Sequence, residues 1–206
     1  ARLLHSLRPV RIEDLTLDMR LGRTSVVADI AQVRELLAPY GVKIEGRTRV
    51  GLTLAGPELG IRLAILDHAY AAAYRGYPLG GEIHGAVEQV LGEYGLSAAN
   101  REIMRGWVTV VLDRYLNNQP LGALPPTYAD LVDSPAHDLA RALAAAVEPL
   151  LNEQLPDDEV LFLALPAAGM RMTGAEGPGG VWRSAELAGA LVERILDRVA
   201  NEMDVR

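Results

Sequence analysis

Val10-Arg11-Ile12-Glu13-Asp14-Leu15-Thr16-Leu17-Asp18-Met19-Arg20-Leu21-Gly22-Arg23-Thr24-Ser25-Val26-Val27-Ala28-Asp29-Ile30 opens the stretch that decides the fold, which spans residues 10–57. Ile12, Leu15, Met19 and Leu21 recur at helical spacing and predict a short helix. Gly22 falls where a turn needs a flexible backbone. Thr24 or Ser25 can then cap a second helix by accepting a bond from its free N–H groups. In that helix Val26, Ile30, Val33 and Leu37 form a buried stripe, with Ser25, Ala28, Gln32 and Glu35 on the opposite face. Val42-Lys43-Ile44-Glu45 and Val50-Gly51-Leu52-Thr53-Leu54 alternate as half-buried strands do. They flank a polar tip, Gly46-Arg47-Thr48-Arg49. Helix, turn, helix and hairpin outline a winged helix-turn-helix, which makes double-stranded DNA the expected partner. A recognition helix reads DNA with its N-terminal residues. Arg20, Arg23, Thr24 and Ser25 are placed there, and Gln32 is a further candidate on the exposed face. Arg47 and Arg49 on the wing suit phosphate contacts.

Charge supports the same division. The net charge of the chain is −7, which alone disfavours DNA. Residues 1–56, however, hold nine Arg or Lys and six acids, a net of +3, and the remaining 150 residues carry −10. A basic head on an acidic body is the asymmetry expected if only the head meets phosphates. The 206 residues suffice for one large or two small domains, and half are apolar. No apolar run approaches the roughly 20 residues of a membrane helix, and no basic-then-apolar leader opens the chain. Cysteine is absent, which excludes disulfides, thiolate metal sites and a cysteine nucleophile and fits a reducing cytoplasm.

The chain beyond the hairpin reads as helices. Residues 1–7 predict a first helix, ended by Pro9. Residues 58–74 predict another, with Ile61, Ile65, His68 or Ala69, and Ala72 on a stripe, broken over residues 76–81. Further helices are expected over residues 83–94, from Ser97 as a cap to residue 117, over residues 134–151, from about Pro156, and over residues 184–204. Residues 120–126 read as a loop. The expected organisation is a DNA-binding head over residues 1–57, a connecting helix over 58–77, a helical bundle over 78–172, and a glycine-rich linker with a terminal helix over 173–206. The fold class is mainly α.

Leu21-Gly22-Arg23-Thr24-Ser25-Val26-Val27-Ala28-Asp29-Ile30, with Leu36-Leu37-Ala38-Pro39-Tyr40-Gly41-Val42-Lys43-Ile44-Glu45-Gly46 and Gly51-Leu52-Thr53-Leu54-Ala55-Gly56-Pro57-Glu58, resembles the head of transcriptional regulators that carry PTS-regulation domains, of the mannitol-operon activator type. Thr16 and Gly22 depart from that family, where Ala and often Ser stand. The body resembles the first PTS-regulation domain, an all-helical bundle. One family pattern, His-Leu-Ala-Ile-Ala-Ile-Glu-Arg-Ile, corresponds here to Trp107-Val108-Thr109-Val110-Val111-Leu112-Asp113-Arg114-Tyr115, followed by Pro120. A second, Glu-Ile-x-Tyr-Leu-Ala-Leu-His, corresponds to Glu159-Val160-Leu161-Phe162-Leu163-Ala164-Leu165-Pro166. The resemblance covers about residues 10–170. It implies a cytoplasmic, homodimeric DNA-binding activator of sugar-utilisation genes, tied to the phosphotransferase system through domains outside this chain. In the family the two motif histidines accept phosphoryl groups. Trp107 and Pro166 replace them, and neither side chain is an imidazole nucleophile. The resemblance also makes the segment from Ala185 to Arg206 the opening of a second such domain, and the chain a fragment.

The four histidines, His5, His68, His84 and His137, show no metal-ligand spacing. His84 and His137 are the candidates to replace the missing phosphorylation sites. Asp67-His68 and His137-Asp138 are neighbours expected to point to different sides of a helix. The acidic run Asp157-Asp158-Glu159 reads as a helix N-terminus. No nucleophile–base pair points to an enzyme, and no cofactor or metal is expected. Two alternatives stay open: an RNA-binding antiterminator, and a protein-interaction scaffold without nucleic-acid binding.

Overall fold

The computed structural model describes residue 3 and residues 8–47, 49–74 and 79–170. Apart from residue 3, the first helix expected over residues 1–7 lies outside the described residues, as do Thr48 and the linker and terminal helix from residue 173 onward. The fold is mainly α, and the chain divides into two compact units, one ending at Arg75 and the next beginning at Gly76.

In the first unit α1 spans Ile12–Met19 and α2 spans Arg23–Leu37. Leu15 of α1 and Val26, Ile30 and Leu37 of α2 are buried. Met19, Leu21 and Val33, expected on the buried faces, are instead exposed. Met19 is the last residue of α1 and Leu21 lies beyond its left-handed end at Arg20, so neither is carried round to the buried face of the helix. The turn between the helices also differs from expectation. Arg20 takes the left-handed conformation (φ 53°), while Gly22 is extended (φ −68°, ψ 154°). Gly22 is the residue that precedes the first turn of α2, so Thr24 and Ser25 lie inside the helix and no side chain caps it.

A 3-10 turn, Ala38–Tyr40, leads from α2 to β1, Lys43–Arg47, which pairs antiparallel with β2, Gly51–Ala55. β1 runs two residues further into the expected tip than the alternation alone indicated, β2 begins one residue later, and Arg47 pairs with Gly51. Ile44 and Leu52 are buried, whereas Lys43 and Glu45 are exposed, which is the two-residue period of a half-buried sheet. Val10 adds a third edge, exchanging backbone hydrogen bonds with Leu52 at 2.8 and 2.9 Å. Gly51 makes that edge possible: its φ is +130°, and a Cβ there would lie 2.8 Å from the Val10 carbonyl oxygen.

The chain then enters α3, Glu58–Ala64, which runs through a π-helical stretch, Ile65–Ala69, into α4, Tyr70–Ala73. Gly60 lets α3 approach the 3-10 turn that follows α2, since a Cβ at Gly60 would fall 2.0 Å from the Tyr40 carbonyl oxygen. Arg62 is fully buried and paired with Glu58 at 3.1 Å. The π-helical stretch turns part of the expected stripe outward: Ile61 and Ile65 are buried, but His68 and Ala72 are exposed. These helices, expected as a connector, belong to the first unit.

The second unit holds α5, Gly81–Glu93, α6, Ala98–Leu116, α7, Pro135–Leu151, and α8, Asp157–Ala167, with a 3-10 turn at Pro126–Leu131 before α7. Ser97 caps α6 by accepting from the Asn100 N–H, and Ser134 caps α7 by accepting from the His137 N–H, both at 3.2 Å. The buried face of α6 is Met104, Val108, Val111 and Leu112, while Ile103 is exposed. Arg105 ties α6 to α5 by its ion pair with Glu88 at 2.5 Å, and also pairs with Glu102. Among the described residues no helix is long and apolar enough to cross a membrane.

Candidate nucleic-acid interface

The residues expected to meet DNA are all exposed. Arg23, Thr24 and Ser25 form the opening turn of α2, and the exposed Gln32 lies two turns further on, on the same side of the helix as Ser25. That opening turn has no acidic residue. Its free N–H groups and the positive end of the helix dipole favour an anion there. Arg20 precedes it at the left-handed end of α1, where its own N–H bonds back to the Leu17 carbonyl at 3.3 Å. Arg47 and Arg49 flank the tip of the hairpin, closed by a bond from the Val50 N–H to the Arg47 carbonyl at 3.0 Å. Arg49 takes a left-handed conformation (φ 66°).

Two participants escaped the sequence reading. Glu13 on α1 holds Arg23, with Oε1 2.5 Å from Nη1 and both side chains about two-thirds exposed. The Glu13 carboxyl is held below its ordinary range by a backbone hydrogen bond first and by Arg23 second. Arg34 joins α2 to β1, donating from Nε and Nη2 to the Ile44 carbonyl at 3.4 and 3.3 Å. Arg34 therefore positions the hairpin against the helix. In the sequence it is one of eight arginines in the head, and only the strand register gives it an acceptor.

A third feature lies on the π-helical stretch. The Tyr40 hydroxyl donates to Asp67 and lies 3.1 Å from His68 Nε2. Desolvation first and Asp67 second push the Tyr40 phenol well above its ordinary range. Asp67 and His68, expected on different sides of a helix, converge to 3.6 Å. The wider turn of a π-helix brings adjacent side chains around to a common partner.

In the second unit the ring of Trp107 on α6 packs against Phe162 of α8 at 4.6 Å between centroids, tilted by 37°. Pro166 stands one turn after Phe162 in α8, one residue before the helix ends at Ala167. The Ala168 N–H closes that end onto Ala164 and Leu165 carbonyls, so the donor missing at Pro166 leaves the end intact. Asp157, Asp158 and Glu159 occupy the first turn of α8, as expected, and two of them also hold the loop before it. Asp158 accepts from the Leu124 N–H at 3.1 Å, and the buried Glu159 from the Leu121 N–H at 2.9 Å. His84 is exposed, and His137 Nδ1 lies 3.4 Å from the Asp133 N–H.

No known protein family matches the chain, and no curated protein is measurably similar to it.

Proposed function

We propose that the chain is a DNA-binding transcriptional regulator, with a winged helix-turn-helix as its first unit and a bundle resembling a PTS-regulation domain as its second. The observation that carries the reading is the assembly of residues 10–55. Two helices meet at a tight turn, an arginine-flanked hairpin follows, and Val10 closes the hairpin from its other edge. This leaves the acid-free start of α2 and the hairpin tip exposed together with Arg20, Arg23, Arg47 and Arg49. In this reading α2 is the recognition helix. Arg23, Thr24, Ser25 and Gln32 face the groove, and the hairpin is the wing. The second unit is a regulatory body whose two phosphoryl-accepting positions hold Trp107 and Pro166. The chain acts as a homodimer, activates sugar-utilisation genes, and communicates with phosphotransferase proteins through domains outside this chain.

Titration of duplex DNA at two salt concentrations tests the reading. Affinity should fall steeply with salt, because phosphate contacts release counterions. Arg47→Ala combined with Arg49→Ala should weaken binding to all sequences alike and flatten the salt slope, since wing arginines contact phosphate. Equal affinity of the double variant and the parent at low salt would remove the wing assignment. Absence of any nucleic-acid binding by the parent protein, duplex DNA or RNA, would leave a protein-interaction scaffold.

A further inference from the structure

We infer that Glu13 is an internal substitute for DNA phosphate, holding Arg23 in the free protein and lowering its affinity for non-specific duplex. This role presupposes that the first unit binds DNA.

Arg23 is the first residue of α2, beside the exposed Thr24 and Ser25 and next to helix N–H groups that favour an anion. Its guanidinium is engaged by Glu13, ten residues back on the neighbouring helix, at 2.5 Å. A carboxylate presents to a guanidinium much the same charge and oxygen geometry as a phosphate. A phosphate arriving at the start of α2 and the Glu13 carboxylate therefore compete for one cation.

The pair is poorly suited to a structural task. Both side chains are about two-thirds exposed, and exposed pairs contribute little to folding. Both helices have buried apolar side chains, Leu15 on α1 and Val26, Ile30 and Leu37 on α2, and the hairpin is held to α2 by Arg34. What an exposed pair can do is set how readily its arginine is released. Random phosphates must displace Glu13, with no other gain to offset that loss. A cognate site supplies base contacts as well, so the same loss is a smaller fraction of its binding energy. The effect is selectivity against bulk DNA.

The test uses the full chain and a mixed-sequence duplex, with the parent, Glu13→Gln, Arg23→Gln and the double variant. Thermal unfolding of each variant should match the parent. Glu13→Gln should tighten binding about two- to five-fold, the range an exposed ion pair can supply. It should also steepen the plot of log affinity against log salt by roughly one, as for one added phosphate contact. In the Arg23→Gln background the same substitution should have a clearly smaller effect, because its competitor is gone. Unchanged binding by Glu13→Gln overturns the inference while leaving the DNA reading in place. So does an equal gain in both backgrounds, which reports only the removal of a negative charge. Weaker binding by Glu13→Gln also overturns it, and makes Glu13 a residue that positions Arg23. If no variant binds duplex, the DNA reading fails and this inference with it.

Discussion

Tyr128 carries its phenolic hydroxyl into the interior. It is fully buried in the 3-10 turn before α7, and its hydroxyl has no hydrogen-bond partner among the described residues. A buried, unpaired hydroxyl costs about 1–3 kcal/mol. Tyr128→Phe keeps the ring and removes the penalty, so urea unfolding should show equal stability or a gain of about 1 kcal/mol. A loss of that size would mean that the hydroxyl is satisfied. Burial also pushes the phenol from 10.0 up to about 12. A folded pKa raised above the unfolded value stabilises the fold fully below pH 10, and this contribution is lost as pH rises through 12. The Phe variant should therefore lose less stability than the parent between those limits. Glu13 has the opposite sign. Its folded pKa is lowered from 4.5, so its contribution is present above that pH and fades as pH falls through the folded value.

Among the elements, the glycines separate what was legible in the sequence from what was not. Gly22 was expected to make the turn between the helices, but it is extended with open space around it, and Arg20 makes the left-handed step. Gly22→Ser should add the missing side-chain cap of α2 and stabilise by a few tenths of a kcal/mol. Gly51 and Gly60 gave no such signal. Their need comes from Val10 and from the Tyr40 carbonyl, both placed by tertiary contacts. Gly51→Ala combines a strained φ with a close approach to Val10, and Gly60→Ala meets a backbone oxygen that cannot rotate away. Each should cost about 2–3 kcal/mol in urea unfolding, whereas a cost below that of Gly22→Ala would contradict these contacts. The helices and hairpin were readable because apolar spacing and caps such as Ser97 are local. The bridge from Val10, the π-helical stretch and the Glu13–Arg23 pair were not, because each joins residues whose meeting depends on the assembled unit. Exposure of Arg23 was legible from its place at the start of α2. Its engagement by an acid ten residues earlier required knowing how α1 lies on α2.

At the scale of the whole molecule, charge and chemistry are divided between the units, with a basic first part and an acidic remainder. Under the proposed reading the second unit resembles a phosphoryl-accepting domain, but the aligned positions hold Trp107 and Pro166. Trp107 is half-buried against Phe162, a packing that contributes hydrophobic stabilisation and offers no nucleophile. Pro166 lies at the end of α8, in line with Phe162, and has no reactive side-chain atom. The remaining imidazoles differ in availability among the described residues. His84 is exposed on α5, His137 lies at the start of α7 near the Asp133 N–H, and His68 is engaged with Tyr40 and Asp67. Availability alone does not make an acceptor, because a phosphocarrier must dock so that its phosphohistidine aligns with the attacking nitrogen. Incubation of the chain with the phosphotransferase phosphocarrier and its phosphoryl donor should therefore leave its intact mass unchanged. A stoichiometric gain of one phosphoryl group, stable in base and lost in acid, would show a modified histidine. His84→Ala would then tell whether the exposed imidazole of α5 has taken over the task, and the unit would have a signalling role of its own.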